Sequence, residues 1–304
     1  MRVIKPNKFT DAVLVSTNAV ETVPLWNPAT DYGLSTLVRR DETHRIYENL
    51  IPGVDAELPE VAQLAEAPRW LDVGPANRWA AFDNQVNTAT VATDYLTFTI
   101  APGFCNGIAV FGIYNAFKAR VVVQSSAGGS TVYDSGDMAL DATIIQDWYE
   151  YFFELAIPKP DFILTGLPPH LNCHITITLT GQPGAQVKCG VVLAGNSYTI
   201  GNSQFGAKSG ITDYSIKETD DFGEPLFVRR NYSKRMEVDV EVPNLRLNKI
   251  QYILAELRAT PCAWIGTPCP GYDPLTVYGF YRDFSIVVDY ADYSRCFLEI
   301  EGLI

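Results

Sequence analysis

Apolar and polar residues alternate along several stretches of the chain, which is the pattern of a β-strand with one buried face. The alternation is clearest at residues 95–100, 174–181 and 236–242. In the last stretch, methionine and valine alternate with acidic residues, which predicts one face in a core and the other in water. Residues 107–114 and 119–126 are nearly continuous apolar runs, which favours strands buried on both faces.

One segment, residues 247–260, has the apolar spacing of an amphipathic helix. Asn248 is its predicted N-cap residue, and the step from Thr260 to Pro261 predicts its end. The apolar positions recur at i, i+3, i+4 and i+7 and are Ile250, Ile253, Leu254 and Leu257. This face is expected to lie on a sheet that two closing strands, at residues 284–290 and 296–304, complete.

These patterns predict a mainly β protein with one α+β domain. The 22 glycines and 19 prolines indicate frequent turns, as in a jelly-roll-like β-sandwich. A module of under about 60 residues buries little surface alone, so the first segment is expected to lean on a neighbour or a second chain. The predicted segments are a small β module at 1–58, a linker at 59–68, the sandwich at 69–205 and the α+β domain at 206–304.

The composition narrows the partners that this chain can have. Its 304 residues carry a net charge of −12, which disfavours duplex nucleic acid and anionic membrane surfaces. No stretch of 18 apolar residues and no signal-peptide pattern is present, so membrane insertion and export are not expected. Arginines outnumber lysines by 14 to 9, a bias typical of protein interfaces.

The aromatic residues Trp26, Tyr32 and Tyr47 lie in the predicted N-terminal module. Exposed rings of this kind can stack on sugars or contact a protein partner. The alternative is that they form the core of a module too small to have another core. We favour the core, and keep glycan or partner contact as the second hypothesis.

Metal binding and catalysis are expected to be absent. Cys262, Cys269 and Cys296 could supply three metal ligands, but their spacing lacks the close cysteine pairs of known zinc sites. His170 and His174 flank Cys173 at a strand entry, where neighbouring side chains point to opposite faces. No nucleophile elbow, phosphate-binding loop or dinucleotide motif is present, so the chain is predicted to be no enzyme and to use no cofactor.

Three parts of the sequence resemble tail-tip proteins of long-tailed bacteriophages. Trp26, five residues, Tyr32 and Gly33 are similar to a chitin-binding-type module, although a Gly-Asp pair normally follows that tyrosine and Gly33-Leu34 stands here. Residues 67–90 with 188–206 look like a lectin-like jelly-roll insert. Residues 210–244 with 277–304 look like the tail-tube-like domain of distal tail proteins.

The resemblance implies a structural virion protein without enzymatic activity. Its expected role is a ring, typically a hexamer, that joins the tail tube to the baseplate hub and the tail fibres. Its location would be the tail tip of the virion, after assembly in the bacterial cytoplasm. The C-terminal strand at 296–304 is expected to be an edge strand that pairs with the next subunit. The alternative function is an adhesin that binds host-surface glycans.

Overall fold

The computed structural model describes residues 1–143, 145–219, 223–269 and 271–303. It confirms the mainly β prediction, with 47% of residues in strands and 10% in helices. A curled half-barrel sheet carries one packed helix. None of the helices in the described ranges has the length and apolar character needed to cross a lipid bilayer.

The secondary-structure elements are numbered in chain order. The helices are α1 (Pro59–Ala62), α2 (Trp148–Phe153) and α3 (Leu247–Glu256). The strands are β1 (Arg2–Pro6), β2 (Leu14–Thr17), β3 (Asp31–Tyr32), β4 (Leu37–Arg40), β5 (Arg45–Asn49), β6 (Gly53–Val54), β7 (Trp70–Pro75), β8 (Thr90–Thr93), β9 (Tyr95–Ile100), β10 (Gly107–Phe111), β11 (Ala116–Gln124), β12 (Thr131–Asp134), β13 (Met138–Ala139), β14 (Phe162–Thr165), β15 (His174–Gly181), β16 (Gln186–Cys189), β17 (Val191–Thr199), β18 (Asn202–Ser203), β19 (Lys208–Asp213), β20 (Ile216–Thr219), β21 (Pro225–Val228), β22 (Tyr232–Pro243), β23 (Cys262–Ile265), β24 (Thr276–Val287) and β25 (Tyr293–Gly302).

The largest sheet has the order β14-β10-β17-β1-β23-β24-β25-β22-β18, and β19 also pairs with β22. The N-terminal strand β1 lies between β17 and β23 and pairs antiparallel with both. Gly195 on β17 permits this pairing, because an added Cβ would overlap the carbonyl oxygen of Lys5. The sheet thus takes strands from the predicted segments 1–58, 69–205 and 206–304, whose boundaries stay predictions.

A second sheet, β12-β11-β15-β9-β2 with β13 beside β11, faces the β10–β17 part of the first. The predicted alternation is confirmed in β9 and β15, where every second residue is buried. All five residues of β10 are buried, as the apolar run predicts. The same prediction is wrong for β11, because Arg120 is exposed between the buried Ala119 and Val121. Only one face of β11 meets the core, and the arginine lies on the other.

Helix α3 packs its predicted apolar face on the largest sheet. Ile250, Leu254 and Leu257 are buried together with valines of β22. The predicted N-cap is wrong: the helix begins at Leu247 after Arg246, so Asn248 lies inside its first turn. A short 3₁₀ turn directly before the helix starts the winding earlier, and no side chain caps it.

The C-terminal strand is not an edge strand, which corrects the sequence prediction. β25 pairs along its length with β22 on one side and with β24 on the other. Both neighbours are twelve residues long, so the backbone hydrogen-bonding groups of β25 are used within the chain. Ring closure by strand addition along β25 is therefore excluded in this fold.

Candidate interaction surfaces

Residues 145–157 project from the body of the protein and are called the aromatic arm. The arm leaves the sandwich after β13 and returns before β14. Its two ends are joined at the root, where Ala142 N donates to Ile157 O at 2.8 Å and Ile157 N donates to the Thr143 hydroxyl at 2.8 Å. The root is therefore anchored, and the arm extends beyond it.

The arm contains the short helix α2, whose start is fixed by side chains. The Asp147 carboxylate caps the helix by accepting from Glu150 N at 2.8 Å. The Glu150 carboxylate accepts from Gln146 N at 2.6 Å, in the manner of a capping box. The helix has only six residues and none of them is buried. A helix this short has little stability of its own in water, since most helical stability in proteins comes from packing.

The aromatic side chains of the arm lie in water. Trp148, Tyr149, Tyr151, Phe152 and Phe153 are between 61% and 79% exposed. They contact one another: the Trp148 and Phe152 rings stack with centroids 6.4 Å apart, and the Tyr149 and Phe153 rings are tilted with centroids 4.9 Å apart. If each ring offers about 200 Å², the five rings together expose about 700 Å² around the helix. The arm therefore exposes the aromatic side chains that protein interfaces usually bury.

The arm is also acidic. It carries Asp147, Glu150 and Glu154 and contains no lysine or arginine. The nearest basic residue that follows, Lys159, is engaged with Asp273 at 2.8 Å. Binding to an anionic surface would therefore be opposed by charge, and a basic partner would be favoured.

The strands β20 and β21 form a second projection, called the exposed hairpin. They pair with each other, Ile216 opposite Val228 and Lys217 opposite Phe227, and with no other described strand. Phe227 is 71% exposed, and Leu226 and Val228 are exposed as well. A two-stranded sheet alone is marginally stable in water, so this hairpin also lacks the packing that would hold it.

Two arginines lie at the base of the hairpin, although residues 216–230 carry four acidic and three basic side chains in all. Arg229 and Arg230 follow β21 directly, and both are exposed. Within the described ranges, neither guanidinium takes part in an ion pair. Lys217 pairs with Asp213 at 2.7 Å, and this hydrogen bond holds the pKa of the Asp213 carboxyl well below its usual range. Apolar side chains beside arginines that form no ion pair with the described residues are a composition that protein interfaces favour.

A cavity of about 280 Å³ lies between the roots of the two projections. Pro160 and Asp161, which follow the arm, line one part of it, and Asn231, which follows the hairpin, lines another. The Asp161 carboxylate, whose side chain is only 7% exposed, pairs with the Lys234 ammonium at 2.7 Å. This ion pair ties the root of the arm to β22, so both projections start from the same part of the fold.

The structure places the three aromatic residues of the N-terminal module in its core. Tyr32 and Tyr47 are buried with Val38, Ala62 and Trp70. Trp26 is half-buried against this cluster, with the Arg40 guanidinium 5.2 Å from its ring centroid. The core interpretation is confirmed for the two tyrosines. Their rings cannot stack on a sugar unless the module opens.

The three cysteines considered as metal ligands differ in their exposure to solvent. Cys262 and Cys296 are buried in β23 and β25, where burial raises the pKa of their thiols to about 12 and about 11. Cys269 is exposed in a loop. Cys173 is buried and its thiol donates to Gly103 O at 3.2 Å. Within the described ranges, no group of three histidine, cysteine or acidic residues is placed to hold a metal ion.

Sequence reasoning missed both projections. The run at 148–153 contains five aromatic residues in six positions, and this density was the available signal. The apolar triplet 226–228 next to two arginines was a weaker one. The comparison with known proteins adds no identification, since neither a protein-family model nor a curated protein matches the chain.

Proposed function

We propose that the chain is a structural subunit of a bacteriophage tail tip, where copies assemble into a ring between the tail tube and the baseplate hub and fibres. The sequence resemblance and the mainly β body support this role. The observation that carries it is the pair of apolar projections, the aromatic arm and the exposed hairpin, which the single chain leaves in water.

Self-assembly explains why these projections persist. Exposed apolar surface of this size favours association, and neither a six-residue helix nor a lone hairpin is stabilised by the body of the chain. Because the two projections are different surfaces, a contact that uses them can repeat from copy to copy. Such head-to-tail contacts close into rings when the rotation between copies allows it.

Light scattering coupled to size-exclusion chromatography tests this proposal. The purified chain is expected to elute as a discrete oligomer whose mass is a fixed multiple of 33.7 kDa. Added salt should weaken the oligomer only slightly. Apolar burial contributes most of the association free energy, and salt screens only the smaller contribution from charges. A mass equal to one chain at every concentration accessible to the measurement would contradict self-assembly.

A second candidate function, a glycan-binding adhesin, is favoured by the exposed rings of Trp148 and Tyr149, which could stack on sugar faces. Sugar sites also need polar groups that are free to orient the ligand. Here the nearest carboxylates, those of Asp147 and Glu150, accept backbone hydrogen bonds within the arm. A glycan array separates the two functions: retention that Trp148→Ala abolishes in a monomeric protein would replace the ring proposal with the adhesin.

A further inference from the structure

The largest sheet curls until its two ends nearly meet. In the strand order, β17, β1 and β23 separate β10 from β24. In a flat sheet β10 and β24 would lie about 19 Å apart, yet the rings of Phe111 on β10 and Tyr278 on β24 stack with centroids 5.3 Å apart. Asp161, which directly precedes the end strand β14, pairs with Lys234 of β22 near the opposite end. The concave face of the sheet therefore has a mouth that this ion pair closes.

The cavity between the roots of the two projections lies at this mouth, and its walls are largely apolar. Val86, Phe111, Tyr278 and Leu303 contribute to them. The Tyr278 hydroxyl donates to the Asn84 carbonyl oxygen at 3.2 Å, which fixes its ring in the wall. The mouths of β-barrels are frequent ligand sites, and a volume of about 280 Å³ lies near the lower end of the range for ligand pockets. The cavity therefore suits a small ligand with an apolar face.

The polar groups of the cavity have hydrogen-bonding capacity left for a ligand. The Lys234 ammonium has three N–H donors and gives one to Asp161 Oδ2 at 2.7 Å. Among the described residues, no donor reaches Asp161 Oδ1. Asn231 Nδ2 donates to Asn87 Oδ1 at 2.9 Å, which holds Asn87 at the edge of the cavity. The site thus offers donors and an acceptor side by side.

The charges of the ion pair favour a neutral ligand. A ligand carboxylate would be repelled by Asp161, and a ligand ammonium would be repelled by Lys234. A hydroxyl group both donates and accepts, so one hydroxyl can donate to Asp161 while its neighbour accepts from Lys234. Sugar rings carry neighbouring hydroxyls on a body whose C–H faces pack against aromatic rings. We propose that this cavity binds one sugar ring in this way.

This site differs from the other aromatic groups of the chain. In the aromatic arm, the carboxylates of Asp147 and Glu150 already accept backbone hydrogen bonds. In the N-terminal module, Tyr32 and Tyr47 are buried in the core. The mouth of the half-barrel instead combines an aromatic wall with an acceptor and donors that a ligand can reach.

Saturation-transfer NMR of the full chain tests the site with methyl glycosides of glucose, galactose, mannose and N-acetylglucosamine at millimolar concentrations. At least one of the four is expected to receive saturation from the protein and to give a measurable Kd. Cyclohexanol, an apolar ring with a single hydroxyl, is the control ligand and is expected to bind at least about 10-fold more weakly. Saturation of none of the four glycosides would overturn the proposal. Cyclohexanol binding as tight as that of the best glycoside would overturn it in favour of an apolar ligand.

Two lysine variants locate the bound sugar. Lys234→Met removes the ammonium and keeps the length of the side chain. It is expected to raise the Kd by about 10-fold or more, the effect of losing one hydrogen bond to a charged group. Lys159→Met is the matched control, because Lys159 also pairs with an aspartate, Asp273 at 2.8 Å, but does not line this cavity. It is expected to leave the Kd unchanged. An unchanged Kd in Lys234→Met, or equal losses in both variants, would overturn the assignment of the site.

A third variant keeps the test valid if Lys234→Met unfolds, since that change leaves the buried Asp161 carboxylate without its partner. Leu303→Trp fills part of the cavity and leaves the ion pair in place. It is expected to abolish binding at an unchanged melting temperature, and binding equal to that of the wild type would contradict the site. The oligomeric mass tests the proposed function separately: a monomer that binds a glycoside would contradict the ring and support this site, and an oligomer that binds none would do the reverse.

Discussion

Replacing Tyr47 by alanine tests whether the N-terminal aromatic cluster is a core. Tyr47 is 1% exposed and packs in a cluster of five buried residues. The side chain buries about 200 Å², which at about 25 cal/mol per Å² corresponds to about 5 kcal/mol as an upper bound. Aromatic-to-alanine substitutions in cores cost about 3–5 kcal/mol, so we expect a loss of about 4 kcal/mol in the stability of the module.

The assay is hydrogen exchange of the backbone amides in β5, which pairs with β4 and β7. A loss of about 4 kcal/mol raises exchange through local opening by about a thousandfold. Tyr47→Phe is the matched control: it removes only the hydroxyl that donates to Thr43 Oγ1 at 3.2 Å, which costs about 1 kcal/mol. If the amide exchange rates and melting temperature of Tyr47→Ala equalled those of the wild type, the ring would not be a core element. That result would favour the hypothesis that the ring contacts a glycan.

Two further predictions concern the largest sheet and the helix on it. Leu254→Ala should lower the free energy of unfolding by about 3 kcal/mol, because Leu254 is fully buried. The control Tyr252→Ala, on the exposed side of α3, should change it by less than about 0.5 kcal/mol. Denaturant titration of both variants measures these free energies. Stability should also fall as the pH rises above 9, because unfolded thiols ionise near that value while burial keeps Cys262 and Cys296 protonated to about 12 and about 11. Between pH 8 and 10, urea titrations should show that each thiol lowers the free energy of unfolding by about 1 kcal/mol. In Cys296→Ala this decrease should be smaller by the contribution of one thiol. A decrease equal to that of the wild type would show that the Cys296 thiol is not responsible.

Local patterns predicted much of the fold. Period-two alternation identified β9, β15 and β22, since a half-buried strand must place every second side chain in the core. The i, i+3, i+4, i+7 spacing likewise identified the face of α3 that meets the sheet. These patterns can be recognised in the sequence because each depends only on the geometry of one strand or helix with one buried face.

Strand order was beyond such patterns. Nothing local distinguishes an edge strand from a central one, so β25 was predicted as an edge although β22 and β24 enclose it. The insertion of β1 beside β17 joins residues nearly two hundred positions apart, which no window of sequence reveals. The run of rings in the aromatic arm also misleads, because most dense aromatic runs are buried and this one lies in water.

Self-assembly into a closed ring is the central claim, and electron microscopy of the purified wild-type chain tests it most directly. We expect uniform closed rings with a central opening and a fixed number of copies. Single particles of one chain, or open filaments of variable length without rings, would contradict it.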